Sequence, residues 1–432
     1  MNPFGQAVRS WVPLMAALVV LVTPAASAGP LSFAPQTRLG FTSGDQWEPA
    51  IAADRFGHVY VLYPQYEGVP GCPACFSPTM ILQMSADHGA TWGTPTIIYP
   101  AGSVRGQFDA QIAVDPVDGM TVYAAWLQDG KSDVVVARSG DFGATWTVVV
   151  ANRIRSGADK PILAVRGRDL YVAYNHAQKI WVSSSHDGGA TFTSVSVNKT
   201  GKLGWALASG GTVDPAGNAY FGWSGYEQNG GGKGKVNLFV SRSGDGGATW
   251  ANTIVDISSA PPDCSPFLCG WAYLGAQLAL TSDAAGTLYG LWNAGTVDRE
   301  PERTYFAMSA DGGLTWSPKA DVSQAPPGSN HAFPALAAGG AGDVRIAWMD
   351  DRVGGLWNTY YRSSTNGGST WSSESDLSTY VSGYSYIQPD GFSFPFGDYF
   401  EMDIDDLGET HAVWGEGLNY DSPGSVWYSR GQ

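Results

Sequence analysis

The sequence predicts an all-β fold, a β-propeller of seven four-stranded blades closed into a ring by its own N-terminal strand. Three observations carry this. A turn motif of the form Ser-x-Asp-x-Gly-x-Thr-Trp recurs six times. A strand–turn–strand unit recurs seven times. The seventh unit ends without a fourth strand, and the N-terminus supplies a segment that fits there. Six blades plus an appendage is the alternative; the strand pairs and the N-terminal fit favour seven.

The turn motif first reads Ser85-Ala86-Asp87-His88-Gly89-Ala90-Thr91-Trp92. Its key acids are Asp87, Asp141, Asp187, Asp245 and Asp311, and the last copy carries Asn366 instead. The steps between them run from 46 residues (Asp141 to Asp187) to 66 (Asp245 to Asp311). That spacing overlaps the repeat lengths of propeller blades, with loops of unequal size. Asp and Ser side chains bond nearby turn amides. The fifth-place Gly permits positive φ. The closing aromatic is large enough to pack under the turn. These are structural duties.

Ahead of each box lies a strand, an Asp/Gly turn and a second strand. Ile51 to Tyr63 and Ile112 to Trp126 are the clearest examples, and the same sense returns at Leu163 to Tyr174, Gly211 to Trp223, Leu278 to Trp292, Leu336 to Trp348 and Met402 to Trp414. A third strand runs into the box and a fourth leaves it, which makes one propeller blade. The seventh unit stops at Val426 to Arg430, where its box should begin. Thr37-Arg38-Leu39 matches Ser375-Asp376-Leu377, a strand that follows a box, so Phe33 to Gly40 is expected to complete the last blade. Closure removes exposed sheet edges.

Residues 1–28 read as an export signal: Arg9, an apolar run from Trp11 to Val22, then Ala26-Ser27-Ala28 as a small-residue cleavage site. Residues 29–432 then form a single propeller domain, secreted or periplasmic. No stretch reaches the ~18 consecutive apolar residues of a membrane span, so the chain is read as not transmembrane. A monomer is expected. The net charge of −15 argues against a nucleic-acid partner. Four cysteines in an exported chain suggest disulfides; three pairings exist, and the local pairs Cys72–Cys75 and Cys264–Cys269 are favoured.

The repeated box resembles the bacterial neuraminidase repeat, or Asp box, of the sialidase-like propellers. The resemblance covers nearly the whole mature chain. It implies a carbohydrate-active enzyme of exo-sialidase or related glycan-cleaving type, with a glycan or polysaccharide partner. The same box occurs in lyases, lectins and non-enzymatic assembly factors, so a glycan- or protein-binding propeller, lectin-like or an envelope scaffold, is the alternative. The sequence departs from the sialidase pattern at one informative place. Where that family has Arg-Ile-Pro on the first inner strand, this chain has Trp47-Glu48-Pro49.

In such propellers the face opposite the Asp boxes gathers the interblade loops and the loops after each second strand. Glu48 and Asp109 occupy equivalent places on neighbouring blades and are the leading acid–base pair for glycoside hydrolysis. Asp398 and Tyr399 are the next catalytic candidates. Trp47, Asp159, Lys160, His176, Trp205, Trp271, Tyr273, His331, Asp350, Arg352 and Glu416 are candidates for substrate binding. For each residue alone a structural role competes: Asp350-Asp351-Arg352 as a salt-bridged turn, His331 as a satisfied hydrogen bonder. The ring as a whole, acidic with interleaved aromatics, suits neutral sugars, because sugar C–H faces stack on rings and carboxylates accept hydroxyls. No cofactor or metal is expected; an acidic ring suits calcium chemically, but no compact calcium-loop motif occurs.

Overall fold

The computed structural model describes Met1 and residues 32–99, 105–155, 157–176, 178–198, 203–228, 233–264, 273–421 and 423–431. The expected export signal (Met1 apart), Cys269 and Trp271 lie outside the described residues. All named elements are β-strands, arranged in seven antiparallel sheets. Blade 1 runs from Ala50–Ala53 to Thr96–Ile97, blade 2 from Gln107–Val114 to Thr147–Arg153, and blade 3 from Ala158–Arg166 to Thr193–Ser196. Blade 4 runs from Trp205–Val213 to Ala251–Ser258, blade 5 from Leu278–Ser282 to Ala320–Asp321, and blade 6 from His331–Ala338 to Ser375–Asp376. Blade 6 also carries a small hairpin, Ile387–Gln388 and Gly391–Phe392. Blade 7 is Phe394–Ile404, Thr410–Gly417 and Gly424–Gly431, completed by Thr37–Arg38 from the N-terminus. Each inner strand touches its neighbours in cyclic order, blade 7 meeting blade 1, so the ring is closed.

The sequence forms blades because each blade has two apolar faces and neither can face water. The second strand of every blade brings one large aromatic, Tyr63, Trp126, Tyr174, Trp223, Trp292, Trp348 and Trp414, and all are essentially inaccessible. The buried residues accordingly fall into seven clusters, one at each seam between neighbouring blades. Inner strands crowd around the axis and use small residues, as in Ala50-Ile51-Ala52-Ala53. Their free backbone groups need partners from across the seam. Glu401 accepts from Ile51 N–H at 3.3 Å, Asp403 from Ala53 N–H at 2.8 Å, and Gln111 from Leu163 N–H at 3.2 Å.

The Asp boxes are self-contained turns. In the first, Ser85 Oγ donates to Asp87 Oδ1 at 2.8 Å and accepts from Gly89 N–H at 2.9 Å. Asp87 accepts from Thr91 N–H at 2.8 Å and Thr91 Oγ at 2.7 Å. In the sixth, Asn366 keeps the acceptor contacts through Oδ1, while its Nδ2 donates to Thr370 Oγ at 2.8 Å. The Thr91 hydroxyl and amide hold the Asp87 carboxyl down at about 2, and the equivalent Thr contacts do the same for Asp245 and Asp311. Buried glutamates shift the other way. Burial pushes Glu302, Glu401 and Glu416 up to about 8.

These opposite shifts set a stability profile. The box carboxylates stabilise the fold above their unfolded pKa, and that contribution is lost as pH falls toward about 2. The raised glutamates stabilise it below their unfolded pKa of about 4.3, and that is lost as pH rises toward about 8. Melting temperature is therefore expected to peak in mildly acidic buffer and decline toward pH 8. Glu302→Gln with Glu416→Gln should flatten the decline; an unchanged slope in calorimetry would exclude these residues as its source.

Cys72 and Cys75 form a disulfide in the loop after the second strand of blade 1. Cys264 is disulfide-bonded as well. Among the described residues no helix is long and apolar enough to cross a membrane.

Candidate functional site

The site arises from a repeated irregularity at the start of the inner strands, on the face opposite the Asp boxes. Pairing slips between Phe108 and Gln111, between Asp159 and Ile162, and between Ala332 and Ala335. Each slip holds a non-glycine residue at positive φ: Asp109 at 58°, Lys160 at 46° and Phe333 at 51°. Glu48, at 47°, takes the same place just ahead of blade 1's inner strand. Blade 7 has a longer slip from Pro395 to Phe400, with Gly397 at 77°. Such bulges re-aim side chains, and left-handed backbone away from glycine costs of order 1–3 kcal/mol. The fold pays that cost at four places around one opening.

Four of these bulges converge. Glu48 Oε2 accepts from the Asp109 N–H at 3.2 Å. Lys131 Nζ donates to Asp159 Oδ1 at 2.7 Å and lies 3.1 Å from Asp109 Oδ2, an ion-pair contact without hydrogen-bond alignment. Lys160 Nζ pairs with Asp398 Oδ2 at 2.6 Å, donates to the Asp398 carbonyl at 2.9 Å, and sits 4.2 Å above the Tyr399 ring. Glu48, Asp109, Lys160 and Tyr399 are buried, while Lys131, Asp159 and Asp398 are partly exposed. Three oxygens in the group have no hydrogen-bond partner: Asp109 Oδ2, Asp398 Oδ1 and the Tyr399 hydroxyl.

Burial and the neighbouring Asp109 and Asp398 carboxylates push Glu48 well above the usual carboxylate range. Burial also raises Asp109, but Lys131 opposes it, and the group settles at about 6. Burial and the Asp109 and Asp398 charges hold the Tyr399 phenol well above its ordinary value, so it keeps its proton at neutral pH. Both leading carboxyls are thus raised, Glu48 by burial and its acidic neighbours, Asp109 by burial against the opposing charge of Lys131.

Half-buried aromatics form the wall. Trp47 packs on Tyr66 at 5.3 Å, Phe396 at 4.4 Å and Tyr420 at 5.9 Å. Tyr273 continues it, against Tyr420 at 5.7 Å and Phe394 at 5.5 Å, and donates to the Pro395 carbonyl at 2.9 Å. Below lies a central channel with a cavity volume of ≈ 960 Å³, lined by Lys160, Phe333, Asp398 and Tyr399 near the site and by Asp54, Asp115 and Asp283 at the Asp-box end.

Of the residues singled out from sequence, Trp47, Glu48, Asp109, Asp159, Lys160, Tyr273, Asp398 and Tyr399 come together here. The other described candidates do not join this group. His331 is buried and bonds the Glu302 and Ser329 carbonyls and Ser323 Oγ. Asp350 binds Trp348 Nε1 at 2.9 Å and pairs with Arg352 at 2.6 Å; Arg352 also binds Glu374. Glu416 is buried between Trp414 Nε1 and Gln36 Nε2. His176 bonds the Gly157 carbonyl, and Trp205 packs on Tyr226. Lys131, Tyr66 and Tyr420 were missed. All three lie just beyond the end of a second strand, Tyr66 after Gln65, Lys131 after Gln128 and Tyr420 after Gly417, in loops that the sequence reading did not follow that far.

The fold and this cluster define a seven-bladed propeller with an acidic, aromatic-walled site beside the central channel. No protein-family model and no curated protein matches the chain. Among solved structures it is similar to a polysaccharide lyase of family PL25, an ulvan lyase bound to -[GlcA(1-4)Rha3S]-, at 12% identity over 91% of this chain and 95% of that one, with a TM-score of 0.55. It is similar to a protein of unknown function from Dyadobacter fermentans at 13% identity, covering 93% of this chain and 99% of that one, TM-score 0.50. Hadza microbial sialidase Hz136 is similar at 13% identity, over 89% of this chain and 65% of that one, TM-score 0.45. At these identities the likeness is one of fold alone, that of a β-propeller.

Proposed function

We propose that this chain is an exported glycoside hydrolase acting on an uncharged stretch of glycan at the Glu48–Asp109 cluster. The carrying observation is two buried carboxyl residues in direct contact under an aromatic wall, Glu48 Oε2 accepting from the Asp109 N–H at 3.2 Å. Glu48 would protonate the glycosidic oxygen. The Asp109 carboxylate would attack the anomeric carbon or activate water, depending on their separation in the complex. Asp398 Oδ1 and the Tyr399 hydroxyl, which lack hydrogen-bond partners, and Asp109 Oδ2 beside Lys131 would meet sugar hydroxyls, and Trp47, Tyr66 and Tyr420 would stack on sugar faces.

Two features argue for hydrolysis of a neutral sugar. Lys131 and Lys160 are already matched by Asp109, Asp159 and Asp398, which leaves neither to grip a substrate carboxylate. Tyr399 holds its proton, which suits a hydrogen-bond donor better than the base of an elimination. Export is supported by the leader-like N-terminus and by the Cys72–Cys75 disulfide.

The test is a panel of neutral, uronic and sialylated glycans incubated with the mature protein, read for bound protein, for new reducing ends and for the ultraviolet absorbance of unsaturated products. New reducing ends from neutral glycans without unsaturation are expected. The rate should climb as pH rises through about 6, because Asp109 must ionise. Unsaturated products would replace hydrolysis by elimination, and binding without turnover would make this a lectin-like propeller.

A further inference from the structure

A second cluster lies on the opposite, Asp-box face, where blade 7 meets blade 1. In blades 1, 4 and 5 the Asp of the first turn bonds a tyrosine six residues on: Asp54 with Tyr60 at 2.7 Å, Asp214 with Tyr220 at 2.9 Å, Asp283 with Tyr289 at 2.8 Å. Blade 7 keeps the turn, Asp405 Oδ1 accepting from Leu407 and Glu409 N–H. It replaces the tyrosine with His411. Blade 1's box then sends His88 to the same carboxylate oxygen, where the neighbouring box has Phe142 in the same left-handed conformation, φ 56° against 58°.

Two trios of ligand atoms gather here, each within 4.8 Å of one another: His88, Asp405 and Asp406, and Asp405, Glu409 and His411. Asp405 Oδ2 lies 2.9 Å from His88 Nδ1 and 3.3 Å from His411 Nε2, and His88 Nδ1 lies 3.7 Å from Asp406 Oδ1. Tetrahedral bonds of about 2.0–2.1 Å place ligand atoms roughly 3.3 Å apart. His411 is fully buried, and its Nε2 faces Asp405 with no hydrogen-bond partner. Its other nitrogen, Nδ1, meets the Tyr428 hydroxyl at 2.7 Å, which fixes the ring against Asp405 as an outer contact does for a ligating carboxylate. Asp405, Asp406 and Glu409 outweigh the charge of Arg430, which sits 3.4 Å from Glu409. His88 and Asp406 are partly exposed and give an ion a way in.

We propose that His88, Asp405 and Asp406 hold one divalent ion of the zinc class, with His411 set against Asp405 from the buried side, so that the ion ties blade 7 to blade 1 beside the ring's closing seam. Mixed imidazole and carboxylate ligands suit zinc better than calcium or magnesium. The site is independent of the glycan site on the other face.

Chelator-treated mature protein is titrated with zinc by calorimetry, with metal content and melting temperature measured on the same samples. One equivalent should bind and raise the melting temperature. His88→Phe and His411→Tyr, which restore what sister blades carry, should keep native circular dichroism and weaken zinc binding at least roughly 10–100-fold, the range seen even for outer-contact losses. Exposed Asp406→Asn serves if either misfolds. Failure of the folded wild type to take up stoichiometric zinc, or unchanged affinity in folded His88→Phe or Asp406→Asn, overturns the proposal.

Discussion

Deleting residues 32–40 should leave the chain unable to hold a closed ring, with a loss of about 5 kcal/mol or more, which approaches the whole stability of many domains. Thr37 and Arg38 pair with Tyr428 and Trp427 and complete blade 7. Ala34 N–H donates to the Arg430 carbonyl at 2.8 Å and Leu39 N–H to the Val426 carbonyl at 2.9 Å. Leu39 is buried in the seam with blade 1, a burial of about 1.5–3 kcal/mol. Phe33 packs on Tyr361 of blade 6 at 4.8 Å. Gln36 binds buried Glu416 at 3.2 Å and accepts from Thr379 N–H at 2.7 Å; orphaning such groups costs about 1–3 kcal/mol each. The deletion also bares the edge of Gly424–Gly431, a template for aggregation. Chemical denaturation and light scattering would show both effects, and a peptide of residues 32–44 supplied in trans should partly restore the transition. A truncated chain with wild-type stability would mean that the three remaining strands close the ring unaided.

This closure was readable in the sequence because it leaves a deficit. Three strands at one terminus and a spare matching strand at the other have one economical solution. The blade count was readable for a similar reason: each second strand carries its aromatic, from Tyr63 to Trp414, whether or not a box follows. The site was less legible. Glu48 and Asp109 could be aligned by their distance from the turn Asp, because their bulges preserve the count to Asp54 and Asp115. Lys131 and Tyr420 lie in loops of unequal length, where repeat alignment gives no register. His331, Arg352 and Glu416 look exposed when read as loop residues. They are spent inside the blades, because buried strand ends need polar partners just as an active site does. The His88–Asp405–His411 group was invisible as a motif, since its members come from opposite ends of the chain and meet only when the ring closes.

Asp109→Asn should abolish turnover while leaving the fold intact. On the proposed mechanism Asp109 supplies the only ionised carboxylate of the central pair, and loss of a general base or acid typically costs 10²–10⁴-fold. The amide is nearly isosteric. It removes one of the charges that, after burial, raise Glu48, and it removes an ion-pair partner of Lys131, which keeps Asp159. Glu48→Gln should be as damaging to substrates with poor leaving groups. It should be much milder for an activated aryl glycoside, which needs little protonation to depart. That contrast separates the two roles in a way that a structural defect cannot, because misfolding would lower both substrates alike. The pH profile provides a further check: the rise through about 6 should disappear in any residual activity of Asp109→Asn and persist in Glu48→Gln. Full activity in both variants, with melting temperatures unchanged, would move the chemistry away from this pair and toward Asp398 and Tyr399 at the mouth of the channel.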